Sequence, residues 1–210
     1  MASDTATARA EPGGREPDEE PQRRPLFRFG GSRLGGFILA LNLLSLQAGE
    51  TRFAGALLSS PMLRVKTGKH SMWSVKLAVR WNIRHGKAGD YVLDEPDDPF
   101  GHTFEKDALT SDEGRYELWR QQMYACPHLA IGGTTWGWLA FALDAGERAL
   151  KLKALKSVRI PVTVVQAADD DRVWKQTSRW ATKRLPHGRY VEIGGAQHEV
   201  LMERDDLRAE

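Results

Sequence analysis

The chain has 210 residues, 41% of them hydrophobic and 28% charged, with a formal net charge of +2, which suits one domain or one domain carrying an insertion. The near-neutral balance gives no electrostatic reason to expect a nucleic-acid partner, and no stretch reaches the roughly 18 apolar residues of a membrane span. Cys126 is the single cysteine, so an intramolecular disulfide framework is excluded, and it reads as a small buried apolar side chain.

Residues Met1 to Arg24 are Ala, Pro, Gly, Glu and Arg with almost nothing apolar, and are expected to be disordered. With no apolar signal core at this end, a cytoplasmic location is the default. Pro25 to Phe29 predicts a short strand, and Gly35 to Ala48 a helix apolar nearly all round, hence buried. Phe53 to Ser59 predicts a buried parallel strand, which makes this part a βαβ unit and the class α/β.

From Pro61 to about Val158 the pattern is helical. Met72 to Arg84 carries Trp73, Leu77 and Trp81 spaced by four, beside Lys76, Arg80 and Arg84 at the same spacing. One reading is a helix packed on its aromatics with its charges solvated; the other is a membrane-surface helix. Asp90 to Phe100 is an acidic, proline-broken loop without calcium-site spacing. Asp112 to Tyr124 predicts a helix, and Gly132 to Thr135 breaks the chain and caps another, Trp136 to Lys156. Trp136, Trp138 and Phe141 suit packing, or the lining of an acyl-chain pocket.

Sheet character returns at Ile160 to Ala167, followed by the acidic run Asp169 to Asp171. Trp174 to Leu185 predicts a helix, Pro186 to Gly188 a turn, and Arg189 to Ile193 a last strand that leads into His198. No pair of histidines has zinc-ligand spacing, and neither a metal nor a cofactor is expected.

Chemistry gathers at the carboxyl ends of parallel strands. Three such ends carry, in chain order, Ser32 or Arg33, the aspartate run, and His198. A serine hydroxyl becomes nucleophilic only when a histidine takes its proton, and that histidine needs a carboxylate to fix its tautomer. Around the first of these sites, Gly30 to Gly36 reads GGSRLGG between a strand and a helix, close to the G-x-S-x-G of a nucleophile elbow. Counted forward from Gly30 the serine position is Ser32; counted back from Gly35 it holds Arg33.

With these pieces in view, the chain from Pro25 onward resembles the bacterial lysophospholipase and monoacylglycerol-lipase-like branch of the α/β-hydrolases. The resemblance rests on Gly30 to Gly36, LLSSPML (Leu57 to Leu63), GGTTWGW (Gly132 to Trp138), ADDDRV (Ala168 to Val173) and GGAQHEVLMERD (Gly194 to Asp205). It implies a partial α/β-hydrolase fold, shortened at both ends, with a mostly parallel sheet flanked by helices and a helical cap insertion. The implied divisions are a tail (1–24), a first core part (25–60), the cap (61–158) and a second core part (159–210). It implies a serine ester hydrolase acting on lysophospholipids or monoacylglycerols, with Ser32 as nucleophile, Asp171 as the triad acid, His198 as general base and the Leu34 N–H as oxyanion donor. The implied partner is a small lipid ester, and the second reading of Met72 to Arg84 adds peripheral contact with the inner face of a membrane. The alternative is a catalytically impaired hydrolase-like protein or fragment that binds lipid or a membrane surface.

Overall fold

The computed structural model describes residues 54–209 apart from 93–99, 102, 105–108 and 131. The expected tail, the strand at Pro25 to Phe29, the Gly30 to Gly36 turn and the helix at Gly35 to Ala48 lie outside the described residues, as does most of the acidic loop.

Among the described residues, three strands form one all-parallel sheet in the order β1-β2-β3: β1 Ala56–Ser59, β2 Val162–Ala167 and β3 Gly188–Ile193. β1 pairs with β2 from Ala56↔Val162 to Ser59↔Val165, and β2 with β3 from Val162↔Gly188 to Ala167↔Ile193. β2 is central, and its apolar, β-branched run matches that position, since a strand covered on both faces needs no polar alternation. Val162 and Val164 of β2 and Leu58 of β1 are buried in one core cluster with Leu155 and Val158, each such side chain contributing about 1.5–3 kcal/mol. β1 begins at Ala56, three residues later than the apolar run.

Between β1 and β2 come α1 (Met72–Arg84), α2 (Glu113–Ala125), α3 (Trp136–Ala149) and α4 (Leu152–Ser157). Their starts follow ordinary capping. Ser71 accepts from the Ser74 N–H at 3.1 Å, Asp112 from Arg115 N–H at 3.0 Å, and Thr135 from Trp138 N–H at 3.2 Å. Cys126 closes α2 and is half-buried rather than fully buried.

Two expectations need correction here. The helix expected from Trp136 to Lys156 is two helices, broken at Leu150 and Lys151, where Lys151 is extended. Ala149 and Leu155 are both fully buried in the same core cluster. On one straight helix they would lie about 120° apart around the axis, so the break lets both reach that core. The second concerns α1, which does not pack on its tryptophans. Its inner side is Met72, Val75, Ala78 and Val79, set against Trp136, Leu139 and Leu143 of α3, and Trp73, Leu77 and Trp81 face outward.

α5 (Lys175–Thr182) joins β2 to β3, and α6 (Asp205–Arg208) follows β3. Gly188 at the start of β3 is required by close approach, because a Cβ there would sit 2.2 Å from the Thr182 carbonyl oxygen. No helix among the described residues is long and apolar enough to cross a membrane.

Candidate active site

The register of the sheet brings two loops together. Beyond the paired ends Ala167↔Ile193, the Ala168 N–H donates to the Ile193 carbonyl and the Asp169 N–H to the Ala196 carbonyl, both at 3.0 Å. The loop after β2 is thereby tied to the loop after β3, so the next residue of one, Asp170, meets His198 of the other. His198 Nδ1 lies 2.9 Å from Asp170 Oδ2, with the two side chains only 6% and 0% exposed.

Asp171, the acid expected from the motif, is not the partner of His198. Its side chain is 68% exposed and faces Arg172 Nε at 3.4 Å. The reason is the turn. Asp170 Oδ1 accepts from the Arg172 N–H at 2.8 Å and the Val173 N–H at 3.2 Å, which turns Asp170 inward and leaves its neighbour at the surface. Val173 is buried and bridges to Val65, so counting back three residues from it locates the inward aspartate.

A residue with no sequence-based role completes the pair. Gln166 is fully buried on β2, and its Nε2 donates to Asp170 Oδ2 at 3.0 Å. Its Oε1 is buried without a hydrogen-bond partner among the described residues. The signal for it was a lone amide inside an otherwise apolar run.

Burial of Asp170 works to raise its pKa. The hydrogen bond and charge of His198, with the two backbone N–H groups, outweigh that and hold the carboxyl below its usual value. An ionised carboxylate only accepts hydrogen bonds, so Nδ1 of His198 carries the hydrogen when the ring is neutral. The lone pair is then on Nε2, the atom that a general base uses.

The helical segment between β1 and β2 is fastened to both loops. Val65 bridges to Val173, and Lys66 Nζ donates to the Asp171 carbonyl oxygen. On the other side the Glu199 N–H donates to Leu109 carbonyl at 2.7 Å, and Thr110 Oγ1 to the Met202 carbonyl at 2.7 Å. Glu203, fully buried, accepts from Ser111 N–H at 3.0 Å, from Ser111 Oγ, and from Gln197 N–H at 2.7 Å. One carboxylate thus ties the approach to α2 to the residue before His198. Ser60, just after β1, has φ = 39°, a left-handed turn that is unusual for a side-chain-bearing residue. Its Oγ accepts from Ala167 N–H at 3.3 Å.

Ser32, Arg33 and Leu34 lie outside the described residues. Among the described residues no group of three His, Cys, Asp or Glu side chains is arranged to hold a metal ion.

The family model described as serine aminopeptidase, S33 (Hydrolase_4) matches residues 15–205. The chain belongs to this α/β-hydrolase family. A probable lysophospholipase L2 of Haemophilus influenzae is 28% identical over 153 residues, covering 73% of this chain and 47% of the relative, so the match spans about half of that protein. The structure of a monoacylglycerol lipase from Paleococcus ferrophilus is similar with a TM-score of 0.58 at 19% identity, covering 84% of this chain and 63% of the other. A soluble variant of monoglyceride lipase from Saccharomyces cerevisiae, solved in complex with a substrate analogue, gives a TM-score of 0.59 at 17% identity, with coverages of 87% and 57%. At these identities the structural likenesses establish the α/β-hydrolase fold.

Proposed function

We propose that the protein is a serine ester hydrolase that cleaves the acyl ester of lysophospholipids or monoacylglycerols. The observation that carries this reading is the buried His198–Asp170 pair at the carboxyl ends of two adjacent parallel strands. The family supports hydrolysis, and the lipid ester class draws on the lysophospholipase relative.

In this reading Ser32 Oγ adds to the ester carbonyl while its proton passes to His198 Nε2, and Asp170 stabilises the imidazolium so formed. The Leu34 N–H donates to the oxyanion. Collapse of the tetrahedral intermediate breaks the ester bond, and the leaving alkoxide takes the proton back from His198 as the glycerol-bearing alcohol departs. Water then attacks the acyl-enzyme as His198 accepts its proton, and His198 returns that proton to Ser32 Oγ as the bond to the acyl carbon breaks and the fatty acid is released. The segment 61–158, fastened at Val65 and Leu109 to the loops carrying Asp170 and His198, serves as the cap over the acyl chain.

The test is turnover of a short-chain p-nitrophenyl ester, a monoacylglycerol and a lysophosphatidylcholine by the full chain. Ser32→Ala and His198→Ala should each lower kcat by about 10⁴-fold or more. Rates unchanged by both substitutions would overturn the reading.

A further inference from the structure

We propose that the outward face of α1 is a docking surface for an anionic lipid bilayer. Trp73, Leu77 and Trp81 are 74%, 55% and 64% exposed, at successive turns of one helix. Large apolar side chains so open to water mark a contact surface. None of the three is needed for packing, because the inner side of α1 is formed by Met72, Val75, Ala78 and Val79.

The charge pattern selects the partner. Residues 61–89 contain seven Lys and Arg and no Asp or Glu, in a chain whose net charge is only +2. On α1, Lys76 pairs with Glu147 of α3, and the other acid at that edge, Asp144, pairs with Arg148 at 2.5 Å. Arg80 and Arg84 have no ion-pair partner among the described residues, and a helical wheel places both on the side of Trp73 and Leu77. Beside them a groove of about 680 Å³ runs between α1 and α3, with Val79, Ala140 and Leu143 along its floor.

An indole at headgroup depth, aliphatic groups below it and guanidinium groups beside phosphates is the arrangement of a helix lying in a bilayer interface. A protein partner would need matching carboxylates placed against Arg80 and Arg84. A bilayer rich in phosphatidylglycerol or phosphatidylserine supplies anionic oxygens at any register. The surface does not depend on catalysis, so binding and ester hydrolysis can fail separately.

The experiment is co-sedimentation of the full chain with non-hydrolysable diether vesicles, either phosphatidylcholine alone or with about a third phosphatidylglycerol. At low salt the protein should bind the phosphatidylglycerol vesicles, with affinity falling as salt rises through about 0.5 M. Arg80→Gln with Arg84→Gln should weaken binding by about 30-fold, at about fivefold per charge. Trp73→Ser with Trp81→Ser should abolish the blue shift of tryptophan emission on binding. Both double variants should keep the wild-type thermal melt, since neither pair packs inside. His198→Ala should bind as the wild type does, whatever its effect on turnover. Failure of the wild type to bind, or equal binding to both vesicle types, would overturn the proposal. So would self-association removed by the tryptophan substitutions in a protein that ignores vesicles, which would make this face an interface between copies.

Discussion

Asp170 and Asp171 are adjacent in sequence and opposite in consequence, and replacing each by asparagine separates them. In Asp170→Asn the carbonyl oxygen must stay where Oδ1 is, because the N–H groups of Arg172 and Val173 converge there at 2.8 and 3.2 Å. The new amide NH₂ then takes the place of Oδ2, facing two donors, Gln166 Nε2 and His198 Nδ1. Gln166 can answer by rotating its amide, since its Oε1 has no partner to lose among the described residues. His198 can answer only by moving its hydrogen to Nε2, which leaves no lone pair for the serine proton. The fold should survive with a loss of about 1–2 kcal/mol, while kcat falls by about 10⁴-fold, equivalent to about 5.4 kcal/mol of transition-state stabilisation. Asp171→Asn alters an exposed side chain and should change kcat less than about twofold and stability by under about 0.5 kcal/mol. The assays are initial rates on a p-nitrophenyl ester and the ¹⁵N chemical shifts of the His198 ring, which report the tautomer without turnover. Equal losses in both variants, or an unchanged tautomer in Asp170→Asn, would refute the assignment.

Glu203→Ala leaves the Ser111 and Gln197 N–H groups without the carboxylate oxygen they now share. It should cost about 2–4 kcal/mol in urea unfolding and lower kcat through the loop that holds His198. Gly188→Ala places a methyl 2.2 Å from a backbone oxygen, and should destabilise by about 3 kcal/mol in the same measurement. Asp170 is held below its unfolded pKa of about 3.9. Its contribution to stability is therefore fully present above that value and lost as pH falls through the lower folded value. Urea melts at a series of acidic pH values should show this loss in the wild type and less of it in Asp170→Asn.

β2 was legible from sequence as an apolar, β-branched run ended by turn residues, and β3 as Tyr190, Val191 and Ile193, interrupted by Glu192, set between two turns. His198 was legible for the same reason, since it follows the second of these strands. Its partner was not, because three consecutive aspartates have the same composition at every offset, and only the turn closed by Arg172 and Val173 decides which one points inward. Sequence left two readings of the α1 tryptophans open because two apolar stripes compete on that helix. Trp73, Leu77 and Trp81 form one, Met72, Val75 and Val79 the other, and spacing alone does not say which meets α3. Gln166 and Glu203 were not legible because their partners lie on other segments: Gln166 donates to Asp170 in the loop after β2, and Glu203 accepts from Ser111 and Gln197.

If His198 and Asp170 serve a serine nucleophile, that serine is open to covalent capture. The full chain is treated with a fluorophosphonate and the adduct is mapped by peptide mass spectrometry. One adduct is expected, on Ser32, absent from His198→Ala and strongly reduced in Asp170→Asn. An unlabelled wild type, or an adduct on another residue that persists in His198→Ala, would contradict it.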